Sequence, residues 1–180
     1  MKRILKWFLI GAASLVALVL IVALFVRKEY SVERSVTINL PKQEIYDYAK
    51  YLKNQNKYSV WAKIDPEMKV EFRGTDGTVG FVSAWESSVR DAGKGEQEIT
   101  GIVEGNRIDY ELRFYEPMKS TDKAYMEFSS GNDSVTTVKW GIYGKIKYPM
   151  NLMLLLMDMD AMLGKDLEGG LNNLKALLED

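Results

Sequence analysis

The chain has 180 residues, 47% hydrophobic and 27% charged, with no Cys and no His, and its formal net charge of -1 conceals an asymmetry. The first 28 residues carry five basic side chains and no acidic one, leaving 19 Lys and Arg against 25 Asp and Glu in the other 152, a balance opposite to that of a nucleic-acid binder. Without imidazole or thiol the chain cannot build a His/Cys zinc site, a Ser-His-Asp or Cys-His nucleophile, a disulfide or a haem attachment, while 152 residues suffice for one domain with a core.

Trp7 to Val26 is a run of 20 residues without a charge, which as a helix reaches roughly 30 Å, the thickness of a bilayer's hydrocarbon layer. Lys2, Arg3 and Lys6 precede it and Arg27 and Lys28 follow. The run predicts a transmembrane helix at about 7–26 within an anchor over 1–28, followed by a domain over 29–180. A cleaved signal peptide is the alternative. It fits less well, because its apolar region is shorter and Ala23-Leu24-Phe25-Val26-Arg27 lacks the small residues of a cleavage site. The more basic N-terminal flank favours a cytoplasmic N-terminus and an extracytoplasmic domain. Ala13 and Ala17 have small-xxx-small spacing, which is frequent by chance in Ala-rich spans.

From Tyr30 the apolar face Tyr30, Val32, Val36 and Ile38 alternates with polar residues and predicts a strand, with Arg34 its one interruption. Pro41 suits a first helical turn, and Ile45, Tyr48, Ala49 and Leu52 continue at helical spacing, with a second short helix expected over 54–61. Six antiparallel strands are then expected over about 68–73, 79–87, 94–103, 107–115, 124–130 and 135–146. They are separated by Gly-, Asn- and Asp-containing turns, the last at Gly131-Asn132-Asp133. Leu156, Met159, Leu163, Leu167, Leu171, Leu174 and Leu178 mark the apolar stripe of a long C-terminal helix, with Pro149 at its start. The fold class is α+β, a curved sheet of seven strands around that helix, an arrangement that leaves room for a cavity between the two.

This order resembles the START/Bet v 1-like helix-grip superfamily, also called SRPBCC, of polyketide cyclase/dehydrase and lipid-transport proteins. The residues that carry the resemblance are Glu29 to Pro41 running into the first helix, Trp61-Ala62-Lys63-Ile64-Asp65-Pro66, Gly74-Thr75-Asp76-Gly77-Thr78-Val79-Gly80, and Gly93-Lys94-Gly95-Glu96-Gln97. The likeness covers nearly all of 29–180 and rests on element order rather than on a catalytic signature. It implies a cavity for a hydrophobic ligand, and the membrane anchor resembles a bacterial branch. Function varies widely across such a superfamily.

The expected lining is Phe81, Trp85, Tyr110, Leu112, Phe114, Met126 and Trp140 from the sheet, with Met153, Leu156 and Met157 from the inner face of the C-terminal helix. Alternation sends Trp140 inward and Tyr143 outward. Five of the nine Met residues fall between Met150 and Met162. Flexible thioethers there suit the mouth of a cavity, an ordinary core, or a patch that dips into the bilayer. Asp158 and Asp160 are candidates for a polar contact in the cavity, but two positions apart on a helix they cannot act as a pair. At least one of them is expected to be solvated or capped by a Lys or Arg. Glu86, Glu96, Glu98 and Glu111 read as the wet face of the sheet. The glycines from Gly74 to Gly80 lack the Lys-Ser/Thr of a phosphate loop. Asn132-Asp133-Ser134 matches a glycosylation sequon, a tripeptide too common to weigh.

The function expected is membrane-anchored, non-covalent binding of a hydrophobic small molecule or lipid, as carrier or sensor, with no catalytic residue, cofactor or metal assigned and no nucleic acid as partner. Two alternatives use the same space. A cyclase- or hydratase-like enzyme would need a Tyr or a carboxylate of raised pKa as its base, and a chaperone-like module would hold a peptide in an open groove.

Overall fold

The computed structural model describes residues 2–132 and 134–180. Helix α1 (Lys2–Phe25) is exposed along nearly all its length, with Ala23, near its end, its one buried residue. It is long and apolar enough to cross a membrane, a property it shares with signal sequences. The domain that follows is β1 (Glu29–Ile38), α2 (Lys42–Ala49), α3 (Leu52–Tyr58), a 3-10 turn over Trp61–Lys63, β2 (Lys69–Arg73), β3 (Val82–Glu86), β4 (Lys94–Val103), β5 (Arg107–Glu116), β6 (Ser120–Asn132), β7 (Val135–Lys145), a 3-10 segment over Met150–Leu155, and α4 (Met159–Glu179). Asp133, which the expected turn and sequon both include, lies outside the described residues.

All seven strands join one antiparallel sheet in the order β1-β7-β6-β5-β4-β3-β2. The alternation read from the sequence sets its two faces. In register, Val32 pairs with Ile142, Ala124 with Ile142 and Tyr110 with Ala124, so these side chains share the inner face. The outer face is charged: Arg113 donates to Glu96, Glu98 and Glu111, and Arg73 donates to Glu96. Such pairing lets a curved sheet expose one side to water while burying the other.

The core is one cluster drawn from the inner sheet face, from α2 and α3, and from Leu167, Leu171 and Leu174 of α4; it takes no residue from α1. Helix α4 runs beside β1 from Arg34, which pairs with Asp160, to Asn39, whose N–H donates to Glu179. Glycines let it sit close. A Cβ at Gly164 would collide with the Arg34 guanidinium, and one at Gly170 would lie 2.7 Å from the Trp140 ring.

The start of the C-terminal helix differs from the sequence expectation. Residues 150–155 form a 3-10 segment, and α4 begins only at Met159, where the Asp158 carboxylate accepts a hydrogen bond from the Ala161 N–H at 3.0 Å. Asp158 is thus an N-cap, which satisfies one of the helix's orphan donors. The Leu/Met run before it follows no helical period because it is not part of the helix.

Candidate functional site

Seven of the expected lining residues share the inner sheet face. Phe81, Tyr110, Leu112, Met126 and Trp140 are buried in the core cluster, while Trp85 and Phe114 are half-buried at the sheet end where β1 begins. Trp85 stacks edge-on to Phe114 at 5.8 Å across Gly95, which pairs with both and where a Cβ would lie 2.6 Å from the Trp85 ring. Trp140 points inward, as alternation requires, and Tyr143 points out.

Met153, Leu156 and Met157 are not on the inner face of α4, because all three precede the helix. Leu156 is 89% exposed and the two Met side chains are half-buried. Their grouping with the sheet residues needed a helix starting at Pro149, and the Asp158 cap moves that start to Met159.

The space under α4 is occupied by the chain's own aromatic residues. Tyr46 meets Phe128 edge-on at 5.5 Å, and Tyr58 and Trp61 meet Trp140 edge-on at 6.0 and 5.7 Å. Two hollows lie away from it: one of about 400 Å³ runs along α1, and one of about 210 Å³ sits on the outer sheet face between Thr100, Asp109, Lys123 and Tyr143. Packing of this kind can move aside only as whole side chains, since a protein interior is as dense as an organic crystal.

Polar groups punctuate this interior. The Tyr110 hydroxyl is buried and has no hydrogen-bond partner among the described residues. Burial holds its pKa well above the usual tyrosine value. The Tyr58 hydroxyl donates to the weak acceptor Met126 Sδ at 3.6 Å, and burial raises its pKa too. Gln97 of β4 donates to Gln55 of α3 at 3.1 Å, closing that side of the core.

A further polar group stands outside the expected strand. Asp122 of β6 is buried on the inner face and accepts from the hydroxyls of Tyr30 and Ser120. A Cβ at Gly144 would collide with its carboxylate, so glycine makes the room it uses. Burial raises the Asp122 pKa, and the two hydroxyls pull it part of the way back. Burial, with the Asp122 charge beside it, raises Tyr30. The strand expected from Ala124 starts two alternations earlier; carried back in steps of two it passes through Asp122 and Ser120.

Arg34, the interruption on β1, is accounted for by α4. Its guanidinium donates two hydrogen bonds to the Asp160 carboxylate, at 2.8 and 2.7 Å. Asp158 and Asp160 therefore both serve the helix start rather than the interior. Among the described residues no cluster of Asp and Glu could hold a metal ion.

Comparison with known proteins agrees with this architecture. Solved structures with the same fold include protein Mll3558 from Rhizobium loti, 17% identical, with a TM-score of 0.60 over 82% of this chain and 96% of that one. Ara h 8.0201 is 13% identical, with a TM-score of 0.57 over 84% and 99%. The di-domain ARO/CYC StfQ of the steffimycin biosynthetic pathway is 13% identical, with a TM-score of 0.60, and this chain spans 51% of it. No curated protein matches the sequence. The profile of one family matches residues 29–179, and the chain belongs to that family, polyketide cyclase / dehydrase and lipid transport.

Proposed function

We propose that this chain is a single-pass membrane protein whose domain, residues 29–180, holds a hydrophobic small molecule or lipid, without changing it covalently, between the inner sheet face and α4. Residues 1–28 anchor it, with the N-terminus in the cytoplasm and the domain outside. The observation that carries the reading is the Tyr110 hydroxyl, buried in the middle of the apolar cluster without a partner among the described residues. An orphaned buried donor costs free energy in the empty protein. A guest with one polar atom relieves that cost while its apolar body gains about 25 cal/mol per Å² of surface removed from water. Family membership supports the same reading, as does a lining built of large apolar side chains around a few polar ones. Entry of the guest requires Tyr58, Trp61 and Trp140 to turn out of the space they fill. Native mass spectrometry of the purified domain, followed by organic extraction, tests the reading. The expected result is a retained lipid or polyketide-like species in the wild type and much less in Tyr110→Phe; equal retention in both would refute the role given to Tyr110.

One observation favours an enzyme as the second reading. Asp122 is a buried carboxylate of raised pKa beside a tyrosine on the inner face, which is the type of group that could move a proton in a chain without His. That reading requires chemical conversion of the extracted species by the wild type and none by Asp122→Asn.

A further inference from the structure

The segment between β7 and α4 grips the end of α1. Asn151 is fully buried, and its side-chain amide donates to the carbonyl of Ala23 at 2.7 Å and of Val26 at 3.0 Å. The Ala23 carbonyl lies in the last turn of α1, where carbonyls have no partner within the helix, and that of Val26 directly follows the helix. The Tyr148 hydroxyl donates to the Leu20 carbonyl at 3.3 Å, and the Ile146 N–H donates to the Lys28 carbonyl at 2.8 Å. The segment is thus fixed beside α1 from Leu20 to Lys28.

That attachment sets a depth. At 1.5 Å per residue, Leu20 lies about 9 Å below Val26 along the helix axis. If α1 spans the bilayer, the contacts of Tyr148 and Asn151 lie at and within the boundary between headgroups and acyl chains. The exposed side chains around them suit that layer. Met150, Leu155, Leu156 and Met162 are exposed on the segment and the start of α4, and Phe25 is exposed at the end of α1. Arg27, Lys28 and Lys147 beside them are exposed basic residues, with Lys145 paired to Glu29, and Tyr148 takes the interfacial position favoured by tyrosine.

We propose that residues 148–156 are a second membrane-contacting element, sunk into the interfacial layer beside α1, and that this docks the grip end-on against lipid. The inference rests on the reading of α1 as a membrane span. Register supplies the consequence. Glu29 pairs with Lys145, Ser120 with Phe114, Phe114 with Gly95 and Gly95 with Trp85, so Trp85, Phe114, Asp122 and Tyr30 share the sheet end that faces the bilayer. A lipid leaving the membrane meets that end of the inner face first.

The natural chain has no Cys, so single cysteines label cleanly. Full-length Leu156→Cys, Val16→Cys and Glu44→Cys are each labelled with a thiol-reactive fluorophore in phosphatidylcholine vesicles, with or without lipids carrying a nitroxide quencher, set low on the acyl chain to report position 16 and high on it to report positions 156 and 44. Position 16 reports the span. Position 44 lies past the far end of β1, about 30 Å from the exit of α1. The expected result is strong quenching at 16, no quenching at 44, and at 156 a loss of at least roughly half that seen at 16. Quenching at 16 with 156 behaving like 44 would overturn the inference while leaving the anchor in place. No quenching at 16 would overturn the anchor and the inference together.

Discussion

Replacing Tyr110 by Phe removes a single oxygen, and the structure fixes the sign of the effect. The hydroxyl is buried and has no partner among the described residues, and an unsatisfied buried polar group costs about 1–3 kcal/mol. Removing it leaves a void of one oxygen, which takes back part of that gain, so the ligand-free domain should become more stable by about 1 kcal/mol. For a domain of this size that raises Tm by about 2–4 °C. Tyr46→Phe is the control: its hydroxyl, 3.0 Å from Glu104, has a partner to lose, and the variant should lose about 0.5–1.5 kcal/mol. Urea denaturation of delipidated 29–180 measures both. That fragment keeps its own core, since the cluster draws no residue from α1. If Tyr110→Phe loses as much stability as Tyr46→Phe, the hydroxyl is satisfied in solution and the argument for a waiting polar anchor fails. The same variant should bind the guest more weakly, so stability and affinity move in opposite directions at this one residue.

Three further outcomes are expected. Gly170→Ala puts a methyl 2.7 Å from the Trp140 ring; overpacking of about 1–3 kcal/mol, offset by about 1 kcal/mol of helix propensity, should lower the thermal midpoint and shift tryptophan fluorescence. Asp122→Asn should raise stability at pH 7: with a pKa raised on folding, mainly by burial, the carboxyl favours the fold below its unfolded value and loses that contribution as pH rises through the folded one. The difference from wild type, followed by thermal melts, should vanish in acid. Glu96 is the opposite case. Burial pushes its pKa up, but hydrogen bonds from Arg73, Arg113 and Tyr115 outweigh it and bring it from 4.5 to about 2. Its stabilisation is present above about pH 4.5 and is lost as pH falls toward 2, so Glu96→Gln should flatten the acid limb of a stability profile.

Much of the fold was legible because period-two alternation and turn residues are local signals. The faces of β1, β5 and β7, and the inward turn of Trp140 against the outward Tyr143, follow from counting alone. The start of α4 is not legible in the same way: the run from Leu152 to Met157 is apolar without a period, Pro149 suits a helix start, and the cap that ends up opening the helix is Asp158. Asp122 escapes a strand that starts at Ala124, because a polar side chain on the apolar face breaks the alternation; it is the third residue of β6, which starts at Ser120. The filling of the interior by Tyr46, Tyr58 and Trp61 could not be read at all. It depends on how α2 and α3 dock on the sheet, and the same side chains would line a cavity or fill a core.

The two halves of α4 hold the sheet by different means, and this bears on where a guest enters. Toward its C-terminus Leu167, Leu171 and Leu174 are buried, each worth about 1.5–3 kcal/mol of burial. Asn173 donates to the Tyr58 carbonyl at 2.9 Å and Lys175 to the Thr37 carbonyl at 2.8 Å. Toward its N-terminus Met159 and Leu163 are only half-buried, Met162 is exposed, and the tie to β1 is the solvent-exposed Arg34–Asp160 pair. Exposed ion pairs contribute little because water competes for both charges. Local opening concentrates where few apolar contacts must be broken, so α4 lifts most easily at its first turns. Those turns adjoin the segment fixed to α1, and the energetically weakest edge of the grip is therefore the edge beside the apolar helix.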